Sequence, residues 1–165
     1  MKEHNVPNKR DAVADASRDV SEKRAATIAY MIMEAKKAGI SDDFARKAIY
    51  EYGKDAAKKL KAMMKDPTDM LEYAEYFGTD YNNEIYEMER LEVSEDKLYI
   101  DFHYCPYVKM WKEMGYSTEE MDHLCDMTME GDRAYGDTFE KFEFTLGKTI
   151  AQGCDVCQIR FDKKK

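Results

Sequence analysis

KLYIDFHYCPYVKMWKEMG, residues 97–115, is the stretch on which the fold turns. Leu98, Ile100, Phe102 and Tyr104 alternate with Tyr99, Asp101, His103 and Cys105, the period of two that marks a strand with one buried face. Pro106 ends the alternation and opens a helix to about Met114, which Gly115 closes. Upstream, residues 84–93 read as a partner strand with a phase slip near Glu89-Arg90, the mark of a bulge, and Ser94-Glu95-Asp96-Lys97 is the turn between the two. Downstream, Ser117-Thr118-Glu119-Glu120 is a capping box for a helix running to about Tyr135. Phe142, Phe144 and Leu146, then Cys157, Ile159 and Phe161, alternate with polar residues around a turn containing Gly153, a second hairpin.

Before this region the periodicity is helical. Val13, Val20, Ile28, Met31, Ile32 and Ala35 recur at helical intervals over residues 11–37, and Gly39 supplies a left-handed stop. Ser41 with Asp42 and Asp43 caps a second helix, whose apolar stripe is Ala45, Ile49, Tyr52, Ala56, Leu60 and Met63. Asp66 as cap and Pro67 at the first helical position start a short third helix that stops at Gly78. The order of helices, hairpin, two helices, hairpin lacks any βαβ alternation. It predicts an α+β fold: N-terminal helices followed by an antiparallel sheet of about four strands with helices packed on one face. The helical section, residues 1–79, and the α+β domain, residues 80–165, are expected to form one compact unit.

Composition narrows the function. Of 165 residues 44% are hydrophobic and 36% charged, enough apolar material for a core and too much for a disordered chain. No apolar run approaches the roughly 20 residues of a membrane span, and residues 1–20 contain no apolar stretch suited to a signal peptide, so a cytoplasmic location is expected. Residues 1–66 carry 15 basic and 11 acidic side chains, net +4, whereas residues 67–165 carry 11 and 23, net −12. So acidic a body repels phosphate, which argues against nucleic acid as a partner, and without an apolar span no membrane partner is expected. A small-molecule substrate is expected, with no cofactor and with homo-oligomerisation left open.

Cys105 closes a strand directly before the proline that opens a helix. A thiol there reads either as a thiolate stabilised by free backbone N–H groups and the helix dipole, or as a small strand-end residue. His103, two residues back on the same face, is either its base or a histidine on the polar side of the sheet. In the next helix Met121, Leu124, Cys125 and Thr128 form the inward stripe, and one more turn reaches Asp132, a carboxylate that must be paired, protonated or functional. Cys154 and Cys157 make a C-x-x-C, but no second such motif exists. A zinc site would need Cys105 and Cys125, or His103 and His123, as distant partners, so no metal is expected.

Cys105-Pro106, Cys125, Asp132 and the ending Leu146-Gly147-Lys148-Thr149 … Gly153 … Cys157 … Phe161, in this order and spacing, resemble the L-2-amino-thiazoline-4-carboxylic acid hydrolase family. The match is good over residues 80–162 and looser over the N-terminal helices, and Cys154 lies outside the family pattern. The resemblance implies hydrolytic opening of a cyclic amidine-like C–N substrate to N-carbamoyl-L-cysteine, without a cofactor. It implies Cys105 as nucleophile, Asp132 as general acid/base, Cys157 as a second catalytic thiol and Cys125 in the pocket wall. His103 joins the substrate-binding set, and Arg133, Lys148 or Arg160 is expected to receive the substrate carboxylate. The terminal hairpin is also similar to that of the small-molecule-binding domains named after 4-vinyl reductase. That likeness implies the alternative of a non-enzymatic small-molecule or metal-binding sensor.

Overall fold

The computed structural model describes residues 5–78 and 81–165, with the side chains of residues 81 and 82 left aside. Helix α1 (Ala12–Lys37) starts at Asp11, whose carboxylate accepts from the N–H groups of Val13 and Ala14, both at 2.9 Å. Gly39, at φ +70°, turns the chain toward α2 (Asp43–Met63). Then come α3 (Met70–Tyr76), α4 (Tyr81–Tyr86), β1 (Met88–Val93), β2 (Lys97–Phe102) and α5 (Pro106–Glu113). After these follow α6 (Thr118–Thr128), α7 (Glu130–Thr138), β3 (Phe142–Leu146), a 3₁₀ turn (Ile150–Gln152) and β4 (Cys157–Lys163).

The strands form one antiparallel sheet in the order β1-β2-β4-β3, as the sequence pattern predicts for an α+β fold. Register sets the inner residues in rows: Ile100 opposite Ile159 opposite Leu146, and Leu98 opposite Phe161 opposite Phe144. That face packs with Met70, Tyr73 and Phe77 around α3 and with Phe139 and Phe142 into a first core. The other face is polar, with Arg160 hydrogen-bonded to Asp101 and Tyr99 to Asp162. A second core gathers Trp111, Leu124, Met127 and Ile150 against Ala25 and Ala29 of α1.

Three local readings change. Residues 84–86 lie in α4, so β1 begins only at Met88, and its bulge falls at Leu91, between Arg90 and Glu92. The cap of α3 is Asp69, three residues after Asp66, with Pro67 in the preceding turn. Helix α1 packs Ile28, Ile32 and Ala35 inward as expected, but it also buries Ala14, Ser17, Arg18, Ala25 and Ala29, while Val13, Val20 and Met31 are exposed. Small residues win that face because the indole of Trp111 lies against it and donates to the Ala25 carbonyl at 3.1 Å.

α1 packs on α5, while α2 packs on α7, so the two long helices diverge from their shared turn. The contact of α2 with α7 is close enough for backbones to touch. A Cβ added to Gly53 would lie 2.3 Å from the Gly131 carbonyl oxygen, whereas one added to Gly131 meets nothing nearer than 3.7 Å. Gly53→Ala is therefore expected to destabilise by about 1–3 kcal/mol, the usual scale of overpacking. Gly131→Ala is expected to be neutral or to stabilise by up to about 1 kcal/mol through helix propensity. Urea denaturation midpoints of the two variants check the asymmetry; equal losses would show that the helices stand further apart.

Candidate active site

Between the two cores lies a cavity of about 300 Å³, closed below by the sheet and opening between α1 and α2. The α2 stripe read from the sequence faces this hollow: Ile49, Tyr52, Ala56 and Leu60 all line it, with Tyr52 at the exposed rim. Cys105, Cys125, Cys157 and Asp132 line it too, so four of the residues singled out in the sequence meet in one space. Cys154 does not line it. Among the described residues no three His, Cys, Asp or Glu side chains are grouped to hold a metal ion.

Beyond Phe102 the strand gives way. The N–H of His103 donates to Glu87 and that of Tyr104 to Tyr86, and Cys105 becomes the N-cap of α5 with Pro106 at the first helical position. Asn5 brackets the Cys105 backbone: its side-chain NH₂ donates to the Cys105 carbonyl at 2.8 Å and its oxygen accepts the Cys105 N–H at 2.7 Å. The cap position is as predicted, but its effect on the thiol is outweighed. Burial pushes Cys105 up to about 11, while the N–H groups of Tyr107 and Val108 pull the other way. Burial likewise raises Cys125 and Cys157, helped by the negative charge Cys105 acquires on ionisation. Cys157 is opposite Phe102 in the sheet, and its sulfur accepts the Ile150 N–H at 3.2 Å.

The helix expected to run unbroken to Tyr135 divides at Met129. That break places Asp132 in the first turn of α7, facing the cavity. Burial raises its carboxyl to about 6, against the pull of the Arg133 charge and its own backbone N–H. No other described side chain hydrogen-bonds it.

The expected cations and histidine are corrected. Arg133 is held by Asp126 and Glu130. Arg160 points to the polar outer face, bound to Asp101 and the Ile100 carbonyl, and Lys148 is exposed. His103 pairs with Glu89 at 2.8 Å, because the alternation that would align it with Cys105 has ended by then. None of the four lines the cavity. The cation that does is Arg24 of α1, at the mouth, its guanidinium 4.9 Å from the Tyr52 ring centre. The sequence signal for it was the small-residue face of α1: Arg24 flanks buried Ala25 and stands one turn before Ile28.

Fold and cavity together define an α+β protein with an internal pocket walled by thiols, one carboxylate and aromatic rings. The sequence model of the L-2-amino-thiazoline-4-carboxylic acid hydrolase family matches residues 18–161, and the chain belongs to that family. This membership supports a hydrolase-like assignment. No curated protein matches the chain. Among solved structures it is similar to a trafficking protein particle complex subunit 3 from Naegleria fowleri covalently bound to palmitic acid. That likeness has a TM-score of 0.59 and 14% identity and covers 90% of this chain and 97% of that one. At such identity it shows a shared fold. No helix among the described residues is long and apolar enough to cross a membrane.

The raised carboxyl of Asp132 has a stability consequence. Its proton is held more tightly folded than unfolded, so the stabilisation is complete below the ordinary value of 3.8 and is lost as pH rises to about 6. The loss is on the order of 3 kcal/mol. Asp132→Asn is expected to be more stable than the parent above about pH 6 and no more stable below about pH 4. Chemical denaturation at both pH values checks this; a difference independent of pH would mean a solvated carboxylate.

Proposed function

We propose that the cavity is the active site of a hydrolase that opens a small cyclic amidine-like substrate, of the kind represented by 2-amino-thiazoline-4-carboxylic acid. The observation that carries the reading is that Cys105 and Asp132 line the same small pocket. A thiol raised to about 11 is not a resident thiolate, so it must lose its proton as it attacks. Asp132, ionised above about 6, is the base suited to take that proton.

In this reading the Cys105 sulfur bonds to the amidine carbon and the ring carbon–sulfur bond breaks. The departing sulfur takes the proton that Asp132 removed. Water then adds to the same carbon, Asp132 again accepting a proton. The bond to Cys105 breaks, the proton returns to its sulfur, and the water oxygen becomes the carbonyl of an N-carbamoyl product. Cys157 is the second thiol of the pocket, with the Ile150 N–H to stabilise negative charge, and Cys125 shapes the wall.

Cys105→Ser is expected to lower turnover of 2-amino-thiazoline-4-carboxylate by about 10³-fold or more with the fold retained. Mass-spectrometric detection of N-carbamoyl-cysteine checks it, and undiminished turnover would exclude Cys105 as nucleophile.

A second reading, a module that binds an apolar ligand without hydrolysis, is favoured by the mostly apolar and aromatic wall. The trafficking subunit of the same fold carries covalently bound palmitic acid. Intact-protein mass spectrometry separates the two: a hydroxylamine-labile acyl adduct on Cys105, with no turnover, selects the binding module.

A further inference from the structure

Two charged side chains line the cavity among the described residues, Asp132 within and Arg24 at the mouth. Arg24 stands out against a pattern in which nearby charges are already partnered. Lys23 pairs with Asp19, Glu22 with Lys109, Arg46 with Asp126 and Glu130, and Arg18 with Asp15 and Glu87. Arg24 has no acidic partner among the described residues; its guanidinium lies over the Tyr52 ring, spanning the gap between α1 and α2. The ring contact leaves the N–H donors of the guanidinium free to meet a carboxylate that enters at the mouth.

We propose that Arg24 is the anion-binding, specificity-determining residue of the pocket, selecting ligands that carry a carboxylate at one end and a group complementary to Asp132 at the other. The substrate class follows: a small molecule with an anionic group and a cationic or N–H-rich group, short enough to fit about 300 Å³. Arg24 takes over the part expected of Arg133, Lys148 or Arg160, all of which are bound elsewhere or outside the cavity. The proposal rests on the cavity being the working site, as the hydrolase reading has it, but its test is independent of turnover.

Iodoacetate and iodoacetamide differ in little but the negative charge. Their alkylation rates at each cysteine, resolved by mass spectrometry, give a ratio for Cys105 in the cavity and one for Cys154 outside it. In the parent, the acetate/amide ratio at Cys105 is expected to exceed that at Cys154. In Arg24→Gln the Cys105 ratio is expected to fall about tenfold, the equivalent of one such contact, with Arg24→Lys in between and Cys154 unmoved. A ratio corrects for any widening of the mouth, since both reagents pass it. An unchanged Cys105 ratio in Arg24→Gln overturns the proposal, whether or not the protein proves to be a hydrolase.

Should the cavity thiol resist both reagents, thiazolidine-4-carboxylate and its carboxamide replace them, read by Tm. The carboxylate is expected to raise the Tm of the parent and not of Arg24→Gln. Equal shifts in both proteins, or none in the parent, overturn the assignment. An anion preference that persists in Arg24→Gln, alongside turnover by the parent, would remove Arg24 and leave the hydrolase reading standing.

Discussion

The backbone contact between Gly53 and Gly131 is the constraint from which the cavity follows. With no room for a Cβ on Gly53, α2 and α7 approach closely enough for the Gly53 and Gly131 backbones to pack against each other. On its far side α7 is equally tight, since a Cβ on Gly136 would meet the Phe144 Cβ at 2.7 Å. A helix wedged this thinly between another helix and a sheet has little freedom to rotate. Its next residue after Gly131 is the carboxylate that faces the cavity. The break at Met129 lets α7 take this direction while α6 stays with the second core. The hollow is what remains between two cores that each close on themselves and share few residues.

Electrostatics reinforces the same geometry from outside. Arg46 of α2 reaches Asp126 and Glu130, Arg133 reaches the same two acids, and His123 meets Asp42 at 2.6 Å. Such partly exposed pairs contribute modestly one by one. Their greater effect is on which charges stay available. Asp126, Glu130 and Arg133 are satisfied at the surface, which leaves Asp132 to the interior without a side-chain partner.

Much of this was legible in the sequence, and the failures have identifiable causes. Alternation gave β2, β3 and β4 because one side of the sheet is wet, and the capping box at Ser117 and the proline after Cys105 marked their helices. α4 was read as strand because six residues carry too few periods to separate helix from strand. The face of α1 was read only in part: Ile28, Ile32 and Ala35 pack inward, but Val13, Val20 and Met31 do not, because a Trp packed against the helix demands small residues. That error also hid Arg24. The lysine and arginines chosen from the C-terminal half were near the motif in sequence, but pairing with Asp101, Asp126 and Glu130 is a property of three dimensions. The state of the Cys105 thiol was left open for a related reason. A helix start is visible in a sequence; the depth to which it is buried is not.

That depth bears on how the pocket works. Burial raises Cys105, Cys125, Cys157, Asp132, Tyr86 and Tyr107, so the cavity resists negative charge at every acidic position the proposed chemistry uses. A thiol at about 11 presents roughly one thiolate in ten thousand at neutral pH. Such a site reacts slowly with stray electrophiles and oxidants, which act on the thiolate. A cation seated about 4 Å from the sulfur contributes about 4 kcal/mol at an effective dielectric constant near 20. That is enough to return the thiol to its ordinary range. In the proposed reaction an amidinium ligand would bring that cation itself, while its carboxylate would be met by Arg24 at the mouth. In that reaction the nucleophile would then be activated by the molecule it attacks, and a neutral ligand of the same shape would fill the pocket without switching it on.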